Sequence, residues 1–304
     1  MSYLGEAVSP IPPPEYLEER DESTRLIRSG QFQQALIHLE RCEGIALAKD
    51  LPALLEMAIV NRCRVHAEVD PKVEGIAELR RLITNGVTQE TRFRACVALA
   101  SIYRGREEWA KVEFYANCAL VPAGKNRHFQ ADVHSCLGVR YLASNDFSKA
   151  LRAFELGLEL LGPAGQGDRR SLLLEGVGVS LVLLGRLGEA LRALSESLTT
   201  AKAAATPWIE LETQLSLSFA YLEQSNAIGA LAHGNVARGL ADRQSRQGAQ
   251  KKALYLLGEA HKLAGEETAA YGYYRELHHR FLPEFESLPD LLLRTDTRGL
   301  VNIL

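Results

Sequence analysis

A short pattern returns seven times along this chain, at intervals close to forty residues. It is plainest in three segments: Ser29-Gly-Gln-Phe-Gln-Gln-Ala35-Leu36, Ser144-Asn-Asp-Phe-Ser-Lys-Ala150-Leu151 and Leu184-Gly-Arg-Leu-Gly-Glu-Ala190-Leu191. Each is a turn, an apolar residue, and a small residue followed by Leu. With that small residue as anchor, the series runs Ala35, Gly75, Val112, Ala150, Ala190, Ala230, Ala270, at spacings of 40, 37, 38, 40, 40 and 40. Units of this size cannot bury an apolar face alone, so a chain built from them must stack them.

Three further columns keep the same frame. Twelve residues before each anchor stand Ser23, Cys63, Ala100, Gly138, Gly178, Ser218 and Gly258, all small. Five before stand Gly30, Asp70, Glu107, Asn145, Gly185, Ser225 and Gly265, mostly turn formers. Four after stand Leu39, Leu79, Ala116, Phe154, Leu194, Gly234 and Tyr274. This is the pattern of a helical hairpin. Small residues sit where two helices cross closely, and larger apolar ones fill the sides. Ala, Leu, Glu, Arg and Gln dominate the stretches between the prolines, and strand-type alternation is nearly absent. The chain therefore reads as all-α.

These columns resemble the tetratricopeptide repeat family. The match is clearest at Leu137-Gly138-Val139-Arg140-Tyr141 with Ala150, Phe154 and Pro163, and next at Leu257-Gly258 with Ala270 and Tyr274. It covers residues 16–282. Its ordinary repeat is about 34 residues. The longer unit here is similar to the sensor regions of MalT-type regulators and the peptide-receptor domains of Rap-type proteins. The resemblance implies a right-handed superhelical solenoid of about seven helix hairpins. Repeat 2 departs most, with His66 and Arg62 in apolar columns and Gly75 at the anchor. Val112 is large for an anchor, so irregular packing is expected in repeats 2 and 3.

Residues 1–15 form a Pro-rich N-terminal arm in which Pro14 is expected to start the first helix. Residues 283–304 read as a capping segment, with Pro289–Arg294 and Thr297–Leu304 as short helices over the last repeat. Gly162–Asp168 reads as a flexible link.

No catalytic constellation is present, so the chain is expected to be non-enzymatic. Walker, GxGxxG and GxSxG motifs are absent. The pair His278-His279 lacks an acidic partner at metal-ligand spacing. The five cysteines are odd in number and show no CxxC spacing, so neither a disulfide framework nor a zinc site is expected. No metal and no cofactor are called for. Lys plus Arg total 35 against 38 Asp plus Glu, a net charge of −3, which argues against direct nucleic-acid binding. The basic pair Arg80-Arg81 and the run Arg243–Lys252 read as solvated surface. No apolar stretch is long enough for membrane insertion, no secretory signal opens the chain, and a cytoplasmic protein is expected.

What remains is the groove that first helices line in tetratricopeptide folds. Positions eighteen, fifteen, eleven and eight before each anchor are expected to face it. They supply Arg20, Thr24, Arg64, Arg94 and Ser101 in the first three repeats, with Asn61 beside them. Asp132, Ser135 and Glu175 follow in the middle, then Glu212, Phe219, Tyr255 and Glu259. The expected surface is basic at its N-terminal end, apolar with acids in the middle, and mixed beyond. Arg64 and Asn61, with Arg94, partly echo the carboxylate-holding set of chaperone-binding repeats. The function read from this is a protein-interaction scaffold or adaptor holding a protein or peptide segment. The alternative is a regulator that responds to a peptide or other ligand. The sequence leaves the oligomeric state open.

Overall fold

In a computed structural model, the described residues are 11–70, 75–162 and 167–296. They form fifteen helices and, among the described residues, no strand. Seven hairpins account for fourteen of these: α1 (Pro14–Arg28) with α2 (Phe32–Ala48), α3 (Pro52–Val69) with α4 (Gly75–Asn85), α5 (Gln89–Gly105) with α6 (Trp109–Ala123), α7 (Arg127–Ala143) with α8 (Phe147–Leu161), α9 (Gly167–Leu183) with α10 (Leu187–Ala203), α11 (Pro207–Glu223) with α12 (Ala227–Arg243), and α13 (Gln247–Leu263) with α14 (Glu267–Phe281). A short α15 (Leu288–Arg294) follows. The chain is thus an all-α helical-repeat protein. It divides into two compact units, residues 1–136 and 137–304, with the boundary inside α7.

The frame read from the sequence coincides with the helix crossings. All seven anchors are buried, as are all seven small residues twelve before them and all seven residues four after. The side-chain sizes are complementary. A Cβ on Gly138 or on Gly176 would lie within 2.6 Å of the Phe154 ring, so that ring is pressed between two glycines. Gly178 receives Leu194 and Gly258 receives Tyr274 in the same way, with hypothetical Cβ approaches of 2.5 and 2.3 Å. Repeat 6 inverts the arrangement. Its larger partner is Ser218, and Gly234 stands where five of the other repeats carry a bulky residue and repeat 3 has Ala116.

The same logic explains repeat 2. A Cβ on Gly75 would sit 2.8 Å from both Cβ and Sγ of Cys63. Glycine at the anchor is the counterpart of cysteine in the small-residue column, and the crossing is kept. Val112 is accommodated and fully buried, against Ala100 and Tyr103 in the unit 1 core.

The turns are equally systematic. At five before the anchor, Gly30, Glu107, Asn145, Gly185, Ser225 and Gly265 all take a left-handed backbone, with φ from 58° to 79°. The next N–H then returns to the carbonyl nine before the anchor, as in Glu108 to Tyr103 at 2.9 Å and Arg186 to Leu181 at 2.8 Å. This closes the helix end and saturates its last carbonyls. Asp70 is the exception, extended at φ −140° and ψ 106°. It precedes Pro71, and the proline ring excludes helical geometry from the residue before it. Pro14 opens α1, and Pro122 lies in the last turn of α6, where it forgoes one helical hydrogen bond. Residues 1–10 of the Pro-rich arm, residues 163–166 of the glycine-rich link and Thr297–Leu304 lie outside the described residues.

Two glycine substitutions should therefore move stability in opposite directions. Gly258→Ala drives a methyl into the Tyr274 ring, which cannot retreat because its hydroxyl is bonded to Glu259, and is expected to cost about 1–3 kcal/mol. Gly272→Ala lies on an exposed face of α14 with open space around it and should gain up to about 1 kcal/mol in helix propensity. Chemical denaturation of the two variants reads both signs.

Candidate functional site

The four inner rows behave differently in the two units. In unit 1 they stay accessible along much of their length. Thr24, Arg64 and Arg104 are exposed, and Ser101, Arg94, Asp132 and Ser135 are half-buried. Arg20 is exposed too but engaged locally. It pairs with Asp21 at 2.7 Å, and its carbonyl accepts the Thr24 hydroxyl at 2.8 Å. Asn61 is half-buried on α3, off the inner rows.

Arg64, Arg94, Arg104 and Asp132 gather from α3, α5 and the first part of α7. Solvent reaches Arg64, yet burial among the surrounding helices is the largest influence on its guanidinium and holds it below the usual arginine value. A side chain is both wetted and desolvated where a wall curves around it. Arg94 repels it further, and Glu68 and Asp132 only partly offset these two effects. Arg94 itself holds Glu90, one turn earlier on the same helix, at 2.8 Å. Arg104 and Asp132 also act on Cys136, whose thiol is pushed up to about 11 mainly by burial. The wall thus carries three guanidinium groups, and the carboxylates around Arg64 leave it short of compensation. Such groups form paired hydrogen bonds with carboxylates.

In unit 2 the inner rows are closed in part: Leu172, Val179 and Lys262 are half-buried and Lys252 is exposed, but the middle of the rows on α11 and α13 is shut. Val182, Leu215, Phe219, Leu222, Tyr255 and Glu259 are all buried. Phe219, Tyr255 and Glu259 were expected to face a groove, and the structure buries all three instead. Apart from Glu175 and Glu212 these rows are apolar on α9 and α11, and apolar rows on neighbouring helices pack together; on α13 three of the four positions are charged, Lys252, Glu259 and Lys262. Glu259 has a structural task. It accepts the Tyr274 hydroxyl at 2.5 Å and the Lys262 ammonium at 3.0 Å. Lys262 also donates to the Leu292 and Thr295 carbonyls, at 2.8 and 2.9 Å, which ties down α15 and the chain after it.

Glu175 and Glu212 remain half-buried. Glu175 accepts the Ser216 hydroxyl at 2.6 Å. Its carboxyl is pushed up to about 7 by burial; Ser216 opposes this, Glu212 adds repulsion, and Lys252 offsets part of it. Glu212 faces Arg246 at 3.8 Å. Ser216 belongs to no inner row, and nothing in its sequence position marks it. Glu68 was also missed, although it stands one turn after Arg64 on the same helix.

The histidines and cysteines hold no metal-type cluster among the described residues. His261 bonds Glu266 at 2.6 Å and stacks on Tyr273. Cys42, Cys63 and Cys96 are buried, and burial raises each thiol, which makes them poor nucleophiles. No helix among the described residues is long and apolar enough to cross a membrane.

The fold has known counterparts. The chain is similar to a Rap protein solved in complex with competence and sporulation factor, at 14% identity and a TM-score of 0.67, over 93% of this chain and 80% of that one. It is similar to the apo form of RapI at 12% identity and a TM-score of 0.57, over 95% and 84%. It is also similar to a tetratricopeptide repeat protein from Parabacteroides merdae at 14% identity and a TM-score of 0.54, over 93% and 100%. No protein-family model and no curated protein sequence matches it. The shared property is the helical-repeat fold, of the tetratricopeptide and Rap kind.

Glu175 makes stability depend on pH. Its pKa is higher in the folded chain than the ordinary 4.5, so the folded state binds its proton more tightly than the unfolded state does. Its contribution is full below about pH 4.5 and is lost as pH rises through about 7. Glu175→Gln should match the wild type at acid pH and exceed it at pH 8 by on the order of 2 kcal/mol. Paired denaturation curves across this range check the sign.

Proposed function

We propose that this protein is a non-enzymatic interaction module whose unit 1 inner wall holds an acidic segment of a protein or peptide partner. The observation that carries the reading is the set Arg64, Arg94 and Arg104, three cations on successive first-helix rows, with Arg64 desolvated and undercompensated. Thr24, Ser101 and Ser135 add neutral hydrogen-bonding groups along the same rows. An extended segment carrying two or more carboxylates matches this spacing of donors, and its main chain finds partners among the hydroxyls. Asp132 and Glu68 give the wall a means of selection, since a segment must place its own acids away from them.

In unit 2, Glu175 and Glu212 form a small acidic patch of their own, and Phe219, Tyr255 and Glu259 take no part in the proposed contact. A second reading, a regulator whose state changes with a bound ligand, draws on one observation: a similar helical-repeat protein, the Rap protein, has been solved with a factor bound. The two readings separate by whether ligand alters the binding of a second partner.

Selection from a displayed library of random peptides tests the proposal. Enriched peptides should be rich in Asp and Glu. The Arg64→Glu, Arg94→Glu double variant should lose their binding by roughly a hundredfold or more, as when buried or half-buried charge pairs are broken, with helicity and melting temperature close to wild type. The charge-matched control is Arg28→Glu with Arg81→Glu, both on exposed positions. Equal loss in the control, or no loss in the inner-row variant, would place the interaction elsewhere.

A further inference from the structure

The basic pair Arg80-Arg81, read from the sequence as solvated surface, is built into a site of its own. Arg80 stands exposed on α4. Its Nε donates to the Tyr115 hydroxyl and its Nη2 to the Tyr103 hydroxyl, each at 3.1 Å. The edge of the guanidinium that normally grips a carboxylate therefore spans two phenol oxygens, one from α5 and one from α6. The two rings stack, with centroids 5.5 Å apart and planes within 4°. Both tyrosines are buried, so their hydroxyls are fixed in place. Lys111, one turn before Tyr115 on α6, lies with its ammonium 4.7 Å from the centre of the Tyr103 ring. Arg80 and Lys111 are near enough to repel one another.

The hydrogen-bond inventory of this cluster is lopsided. Each hydroxyl has accepted one bond and keeps its own O–H hydrogen. Neither hydroxyl donates to a protein acceptor, and Arg80 forms no ion pair with a carboxylate, among the described residues. The acid at hand is Glu108, which is taken by Lys111. Two phenolic O–H groups, the remaining N–H groups of Arg80 and the ammonium of Lys111 thus meet with a single acceptor among them. They come from three helices and so from several directions. A planar carboxylate offers two oxygens in one plane and satisfies part of such a set, whereas a tetrahedral dianion offers three or four.

We propose that Arg80, Tyr103, Tyr115 and Lys111 form a binding site for a phosphate group, either inorganic phosphate or a phosphate monoester. The site is separate from the proposed peptide wall and does not depend on it. The anion accepts from both tyrosine hydroxyls, from Arg80 and from Lys111. It offsets the repulsion between the two cations and pins α4 to the α5–α6 hairpin. Occupancy therefore stabilises the second helix of repeat 2, the repeat that departs most from the common pattern.

The test is titration calorimetry of the full chain with inorganic phosphate, sulfate, phenyl phosphate and acetate at fixed ionic strength, with melting temperature as a second readout. Wild type should bind phosphate saturably, with a rise in melting temperature, and acetate much more weakly. Arg80→Met should weaken phosphate by roughly tenfold or more, and Tyr115→Phe, which keeps the ring and removes one donor, by roughly three- to tenfold. Phenyl phosphate binding as well as inorganic phosphate identifies a monoester as the ligand, and phosphate alone identifies the free ion. Should Arg80→Met fail to fold, Tyr115→Phe with Tyr103→Phe carries the test, because both retain the stacked rings. No saturable phosphate binding by the wild type, acetate binding as tightly as phosphate, or wild-type affinity in the tyrosine variants would overturn the proposal. Loss of peptide binding in the Arg64 and Arg94 variant should leave phosphate affinity unchanged.

Discussion

The close helix crossing, with a side chain missing on one helix and a large one on the next, is the contact on which the architecture depends. Phe154 between Gly138 and Gly176, Leu194 on Gly178 and Tyr274 on Gly258 are the same interaction repeated. Each leaves no room for a methyl, and each sets the separation and stagger of its pair. The left-handed turn five residues before the anchor delivers the chain to this crossing. Its geometry holds whether the residue is Gly, Glu, Asn or Ser, so the tertiary contact is strong enough to impose a backbone that non-glycine residues disfavour.

This explains why so much of the fold could be read in advance and why some of it could not. The anchors, the small column and the bulky column were legible because packing restricts size at those positions. Repeat 2 looked irregular because each residue was judged against its own column. Cys63 and Gly75 are ordinary once treated as a pair whose summed volume is kept. The short helix after α14 was legible as Pro289–Arg294, but its fastening was not: Lys262, held by Glu259, donates to the carbonyls of Leu292 and Thr295, thirty residues or more along the chain. Asp70 departs from its column for a local reason, the proline after it.

The inner rows were harder to read, and for a physical reason. The frame identifies the residues that point toward the neighbouring first helix, but pointing inward is compatible with either an open wall or a closed one. The difference lies in side-chain character along the row. Where Arg, Thr and Ser alternate with apolar residues, as in unit 1, charged heads must keep water and the wall stays open. Where Leu, Val and Phe follow one another, as on α9 and α11 in unit 2, the rows come together and shed solvent. The sequence held that contrast, and Phe219, Tyr255 and Glu259 were misplaced because every repeat was treated alike.

The central claim is that packing within the repeat frame buries the middle of the inner rows on α11 and α13 in unit 2 while leaving much of the inner rows of unit 1 accessible. Hydroxyl-radical footprinting read by mass spectrometry tests this directly on the unmodified protein, comparing like side chains. Phe219 and Tyr255 should be protected, Phe114 and Tyr271 should be modified readily, and Met57, on an inner row of unit 1, should be oxidised in the folded state. Modification of Phe219 and Tyr255 at the rates of Phe114 and Tyr271, or protection of Met57, would contradict it.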